Sequence, residues 1–154
     1  MSVKQPTTRD AATFQSVSPA TGEVVGTFPI DGPAQVAAAL DRARTAAAWW
    51  AGLGFDGRKR RLLDFKRLLV RRGEELCDLI HRENGKPHDD AFLELLIAVE
   101  HLDWAARKAA KILRPERVAP TLLARNVAAS IHYQPLGVVA VIGPWNQPLS
   151  VSTR

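Results

Sequence analysis

Residues 136–154 read LGVVAVIGPWNQPLSVSTR, and this stretch decides the fold that the sequence predicts. Val138 to Ile142 form an unbroken apolar run, which is typical of a strand covered on both faces in a parallel sheet flanked by helices. Gly143-Pro144-Trp145-Asn146 follows directly. In open α/β sheets, ligands bind at the carboxyl ends of the strands. The stretch therefore predicts a buried strand that opens onto a ligand site.

Two helices are predicted in the first half of the chain. The Ala-rich run over about 33–51 has high helix propensity, and Asp31 is a candidate cap for it. A second helix is predicted over about 56–84, with Asp56 as its cap. Gly73 indicates a break within it, because glycine is a poor helix former. Its arginines fall opposite its apolar residues, so we expect an amphipathic helix with a basic outer face.

A third helix is predicted over about 87–113, after the corner HRENGKPHDD. In this corner, Gly85 suits the left-handed end of one helix and Pro87 the first turn of the next. We expect the two helices to pack antiparallel. The apolar positions of the third helix recur every three or four residues, and they are Phe92, Leu95, Leu96, Val99, Leu102, Ala106 and Ala110.

The remaining segments predict a tail and short strands. Residues 1–12 are polar and without periodicity, so we expect a disordered tail. A β-hairpin is predicted over about 14–28, where two β-prone runs flank a turn with Pro and Gly. Besides the strand over about 138–142, alternation predicts another over about 128–134. The loop RPERVAP precedes it.

Composition limits the classes of protein that fit. The chain has 154 residues, which is enough for about one domain with a core. It has no apolar run of membrane-spanning length and no signal peptide, so we expect a cytoplasmic protein without a membrane partner. The single cysteine, Cys77, excludes an internal disulfide. It lies between Glu75 and Asp78, which raise a thiol pKa, so Cys77 is a poor nucleophile.

The Asn146 amide is the residue with the clearest chemical potential. A neutral donor held rigidly at a sheet edge can stabilise a developing oxyanion. The alternative is a turn asparagine bonded to its own backbone, with Trp145 filling core. No metal site is predicted, since His81, His88, His101 and His132 lack metal-ligand spacing. Lys86 is interpreted as a cation near a helix C-terminus.

Three segments together resemble a known family. GVVAVIGPWNQPL (137–149) is similar to the segment that opens the cofactor domain of NAD(P)-dependent aldehyde dehydrogenases. ENGKP (83–87) resembles that family's E-x-G-K-P corner, and SPATGEVVGTFP (18–29) resembles its N-terminal hairpin. The resemblance implies an α/β fold that is the helix-rich N-terminal portion of such an enzyme. Residues 13–154 would form an incomplete cofactor-binding domain with the first strand of a Rossmann-like parallel sheet.

The resemblance also implies roles for the turn. Asn146 would stabilise the oxyanion of the aldehyde adduct, and Trp145 and Asn146 would lie against NAD or NADP, with Ile142, Gly143 and Pro144 contributing backbone nearby. In the family, a cysteine thiolate attacks the aldehyde, hydride passes to NAD(P)+, and a glutamate-activated water releases the acid. That cysteine and glutamate are expected downstream of this sequence. The chain alone is therefore expected to be an inactive fragment.

Two other classes of function stay open. One is a basic helical protein that binds nucleic acid. Against this class, no nucleic-acid-binding motif is visible. The other is a non-catalytic fragment that forms a homo-oligomer or docks onto a full-length homologue, through the hairpin and the strand near 131–134. The nucleic-acid-binding class would use the basic face of the predicted helix over about 56–84, which consists of Arg58, Lys59, Arg60, Arg61, Lys66, Arg67, Arg71 and Arg72.

Overall fold

The computed structural model describes residues 12–153. The predicted tail, apart from Ala12, lies outside them. The elements are, in chain order, β1 (Thr13–Val17), β2 (Val24–Pro29), α1 (Pro33–Gly52), α2 (Gly54–Arg71), α3 (Gly73–Asn84), α4 (His88–Ile112), β3 (Glu116–Val118), a 3₁₀ turn (Leu122–Ala124) and β4 (Ala129–Ile131). The described residues thus form a helix-rich fold with two small antiparallel sheets.

The predicted hairpin forms from β1 and β2. The two strands pair antiparallel from Thr13 opposite Pro29 to Val17 opposite Val24. Gly22 in the connecting turn has a φ of 74°, a value that glycine adopts without steric cost. The hairpin is therefore set by local turn chemistry, as its sequence predicts.

The core lies where α2 and α3 pack against α4. Lys66 on α2 pairs with Asp103 near the end of α4, and Asp78 on α3 lies beside His88 at the start of α4. The chain therefore runs along α4 in the direction opposite to α2 and α3. The helices are antiparallel, as predicted. The buried apolar cluster consists of Leu69, Cys77, Ile80, Ala91, Leu95 and Leu102.

The predicted helix over 56–84 is two helices, with the break at Arg72, next to the predicted position. Arg72 has φ −100° and ψ 18°, and a Cβ on Gly73 would come 2.8 Å from Leu95 Cδ2. The close approach of α4 therefore favours glycine at this junction.

The two caps predicted from sequence are wrong. Leu53 and Gly32 occupy the N-cap positions of α2 and α1, without side-chain capping bonds. Asp56 lies in the first turn of α2 instead, where a negative charge is favourable near the helix N-terminus. Gly54, with a φ of 61°, begins α2 earlier than its periodicity suggests.

The buried line of α4 differs from the predicted one. Phe92 and Leu96 are exposed, whereas Ala91 and Ala98 are fully buried. Ala91 belongs to the buried cluster that α4 forms with residues of α2 and α3. Phe92 and Leu96 line an apolar groove of about 500 Å³ beside α3.

The strand predictions are the least accurate. The strand predicted over 128–134 is reduced to β4, which pairs with β3 in a segment predicted as a loop. Residues 138–142, which the sequence predicts as a strand, have no partner strand among residues 12–153. A strand is stabilised by hydrogen bonds to a neighbour, and an apolar run alone does not supply one.

Candidate functional site

The Gly143–Asn146 turn leads into a series of tight turns that ends the described chain. The backbone N–H of Gln147 donates to the carbonyl of Pro144 across 3.3 Å. Gly143 packs closely under Ser152, where a Cβ would collide with the hydroxyl oxygen. The segment from Gly143 onward is thus folded back on itself.

The ENGKP corner prepares the surface on which this turn rests. Gly85 ends α3 with a φ of 74°, as predicted, and its N–H donates to the carbonyl of His81. The N–H of Lys86 donates to Asn84 Oδ1 across 2.7 Å. Pro87 is the N-cap residue of α4, one position before the first turn where it was predicted. The corner directs the side chains of Asn84 and Lys86 toward the turn.

Two side chains of the corner hold the turn's carbonyl groups. Asn84 Nδ2 donates to the carbonyl oxygen of Trp145 across 3.4 Å. Lys86 Nζ donates to the carbonyl oxygen of Asn146 across 2.6 Å. These contacts join segments about 60 residues apart in sequence. The corner and the turn therefore form one site.

Glu94, on α4, binds both the ENGKP corner and the chain that follows the turn. Its side chain is 4% exposed. Oε1 accepts the backbone N–H groups of Leu149 and Ser150 across 2.8 and 3.1 Å, and Oε2 pairs with Lys86 Nζ. A buried carboxylate is costly unless it is paired and hydrogen-bonded. Here both oxygens have partners, so the charge is compensated.

The side chains above this anchored backbone remain accessible. The Trp145 indole is 80% exposed and Ile142 is 93% exposed. The Asn146 side chain is exposed as well. It borders a cleft of about 250 Å³, whose polar lining includes Lys86, Asp90, Glu94, Gln147 and Ser150. The alternative in which Trp145 fills core does not hold for the described residues.

Sequence reasoning identified the turn but missed its supports. Lys86, interpreted as a helix-dipole cation, is instead bonded to Glu94 and to the Asn146 backbone. Glu94 was not singled out at all. Its signal was an acidic residue on the face of α4 that also carries Ala91, Leu95 and Ala98, all of which are buried.

The other candidate groups lie outside this site. Cys77 is buried, and burial, followed by the charges of Asp78 and Glu94, raises the pKa of its thiol. Among residues 12–153, no group of three or more His, Cys, Asp or Glu side chains has a metal-binding arrangement. Over the same residues, no helix is long and apolar enough to cross a membrane.

The predicted basic surface is partly engaged within the protein. Arg58 lies 4.4 Å from the centre of the Phe55 ring, and Arg61 lies 5.8 Å from that of Trp49. The arginines on the aromatic rings keep their charge, whereas the ion pairs reduce the net charge that the surface offers to an acidic partner. The ion pairs are Lys66 with Asp103, Arg67 with Asp64, and Arg72 with Glu75.

Comparison with known proteins points to one family. The model of the aldehyde dehydrogenase family matches residues 7–154. The succinate semialdehyde dehydrogenase [NAD(P)+] of Escherichia coli strain K12 is 37% identical over 134 residues, which are 87% of this chain and 28% of that protein.

Solved structures agree with this match. The succinate-semialdehyde dehydrogenase of Burkholderia pseudomallei superposes with a TM-score of 0.82 at 32% identity, over 92% of this chain and 29% of that one. A putative methylmalonate-semialdehyde dehydrogenase from Sinorhizobium meliloti 1021, complexed with NAD, gives 0.82 at 27% identity, over 97% and 30%. The chain thus spans less than a third of each of these relatives, and its helix-rich fold matches a part of theirs.

Proposed function

The chain belongs to the aldehyde dehydrogenase family, and on this premise we propose that it supplies the oxyanion-stabilising amide and part of the nicotinamide surface for NAD(P)+-dependent oxidation of an aldehyde to a carboxylic acid. One observation carries the proposal: the Asn146 side chain is exposed, while the backbone on both sides of it is tied to the ENGKP corner. An accessible donor on a fixed backbone is what preorganised stabilisation of an oxyanion requires.

Asn146 acts in this proposal as a neutral donor. Its side-chain N–H groups would donate hydrogen bonds to the aldehyde oxygen, which becomes negative when a nucleophile adds to the carbonyl carbon. The hydrogen bonds to the Trp145 and Asn146 carbonyls are already made, so the backbone that carries the amide need not reorganise as the charge develops. The amide would thereby lower the barrier to addition.

The surface beside Asn146 fits a nicotinamide dinucleotide. Trp145 offers a flat, exposed indole and Ile142 an exposed apolar side chain. Gly143 lies against Ser152, and a side chain there would require the Ser152 hydroxyl to rotate away. When bound, such a cofactor supplies the acceptor for the hydride. Relatives named for NAD(P)+ and complexed with NAD support both forms of the cofactor as candidates.

The nucleophilic cysteine and the general-base glutamate of the family are proposed to come from sequence other than these 154 residues. Cys77 does not replace the nucleophile, because it is buried and its pKa is raised. A thiolate is needed for attack on a carbonyl. We therefore expect the 154-residue chain to show no turnover by itself.

The test is NAD(P)H formation from an aldehyde by the longest protein that the gene encodes with these residues. Asn146→Ala is expected to lower kcat on the order of 10²- to 10³-fold, the cost of one oxyanion donor. Asn126→Ala, an exposed asparagine elsewhere, is the matched control and should leave kcat unchanged. A kcat for Asn146→Ala within a few fold of the wild-type value would sink the oxyanion role. Turnover by the isolated 154-residue chain would refute the proposal that the nucleophilic cysteine and the general-base glutamate come from other sequence.

A second candidate function, docking onto a full-length homologue, is favoured by the hairpin. The rings of Phe14 and Phe28 lie 5.5 Å apart and both remain about half exposed. Exposed apolar side chains on a small sheet are typical of an interaction surface. Co-expression with the Escherichia coli relative should give co-elution. Phe14→Asp should abolish it, while Phe92→Asp on α4 should not; equal effects of the two variants would argue against the hairpin.

A further inference from the structure

We propose that Lys86 and Glu94 are positioning residues, which fix the direction in which the Asn146 side chain leaves the backbone. The inference deepens the proposed function and rests on it for what the amide does. How the amide is held is argued from contacts alone. Neither residue needs to touch an aldehyde or a cofactor to have this effect.

The peptide groups on both sides of the Asn146 Cα are held by the corner. Asn84 Nδ2 holds the carbonyl oxygen of Trp145, and Lys86 Nζ holds that of Asn146. Because a peptide unit is planar, holding its oxygen limits the rotation of the whole unit. Two oriented units restrict φ and ψ of Asn146, and so restrict its Cα–Cβ direction. Lys86 supplies the shorter and charged contact of the two.

Glu94 supports Lys86 and the chain beyond the turn at the same time. One carboxylate oxygen pairs with the Lys86 ammonium, which directs it to the Asn146 carbonyl. The other accepts two backbone N–H groups, at Leu149 and Ser150. The segment from Asn146 to Ser150 is therefore held at both ends by one buried ion pair. An ammonium group has three donors, so both contacts of Lys86 can be made together.

A second ion pair offers a comparison without this geometry. Lys66 Nζ lies 2.6 Å from Asp103 Oδ1 and joins α2 to α4. Both pairs hold α4, and the Lys66 pair is the more exposed of the two, with side chains 25% and 29% exposed against 16% and 4% for the Lys86 pair. The Lys66 pair lies away from the turn. A role limited to stability predicts the same behaviour for Lys86→Met and Lys66→Met.

The experiment measures backbone hydrogen exchange of the complete 154-residue chain by mass spectrometry, with unfolding midpoints in parallel. Lys86→Met should accelerate exchange in peptides covering 145–150 by about tenfold or more, the effect of losing a charged hydrogen bond. Exchange in α1 to α3 should change little. Lys86→Arg should restore most of the protection. Lys66→Met should leave 145–150 within about twofold of the wild-type rate, apart from any acceleration shared by all peptides.

Glu94→Gln is the second test, and it keeps the inference testable if Lys86→Met fails to fold. A glutamine retains an oxygen for the two backbone N–H groups but loses the charge that holds Lys86. Local acceleration in peptides covering 145–150, where the N–H groups of Gln147, Leu149 and Ser150 have acceptors, is the expected result. Acceleration spread evenly over the chain, or none at all, overturns the inference. Since exchange needs no cofactor or aldehyde, its outcome is independent of the kinetic effect of Asn146→Ala.

Discussion

Asp103 is a single residue that binds two cations. Oδ1 accepts a hydrogen bond from Lys66 and Oδ2 accepts one from Arg107, each across 2.6 Å. The hydrogen bond from Arg107, then that from Lys66, lowers the pKa of Asp103 from 3.8 to about 2. The folded chain therefore holds the carboxylate charged under conditions in which the unfolded chain takes up a proton.

This shift predicts a specific pH dependence of stability. A lowered pKa contributes stability that is present above 3.8 and is lost as the pH falls toward about 2. Asp103→Asn should therefore reduce the free energy of unfolding at neutral pH, and the difference from wild type should vanish near pH 2. Urea unfolding midpoints across this range provide the measurement. Asp64→Asn, which removes an exposed pair within one helix, should have little effect at any pH; an equal effect would contradict the prediction.

Some residues of the site could be predicted from the sequence and others could not. Asn146 and Trp145 were found because they follow an apolar run and match a family motif, and both signals are local. Glu94 and Lys86 gain their roles from partners 55 and 60 residues away. Local patterns do not encode such pairings. A charged residue on an otherwise buried helix face was the one available signal.

At the scale of elements, local chemistry predicted the helices well. The ends of α1, α3 and α4 lie within one or two residues of the positions given by Pro33, Gly85 and the apolar periodicity. These signals act within a few residues, through propensity and capping geometry. The division between α2 and α3 was indicated by Gly73 for the same reason.

Strands were predicted poorly because their stability depends on partners. β3 has only three residues, and it is ordered by pairing with β4 across an intervening 3₁₀ turn. Val138 to Ile142 has the composition of a central strand, but no described residue pairs with it. Composition sets how well a segment fits a sheet, whereas the neighbouring chain decides whether a sheet forms. The hairpin of β1 and β2 was the exception, since its partner strand is adjacent.

Across the whole molecule, much apolar surface remains exposed. Leu123 is 97% exposed, and Val139 and Val141 are about 60% exposed. Monomeric proteins rarely leave large contiguous apolar patches uncovered. We therefore expect the isolated chain to bind a hydrophobic dye and to be poorly soluble. In addition, the backbone of residues 138–142 is paired with no strand among the described residues.

The two kinds of exposed surface can be separated by lysine substitution. If association proceeds by strand pairing over 138–142, Val139→Lys should suppress it strongly, because a charged residue discourages edge-to-edge pairing. Leu123→Lys removes a more exposed apolar side chain from a 3₁₀ turn, and it should have the smaller effect. Light scattering of the chain at several concentrations measures both. A larger effect of Leu123→Lys would show that apolar exposure, rather than an unpaired strand, drives association.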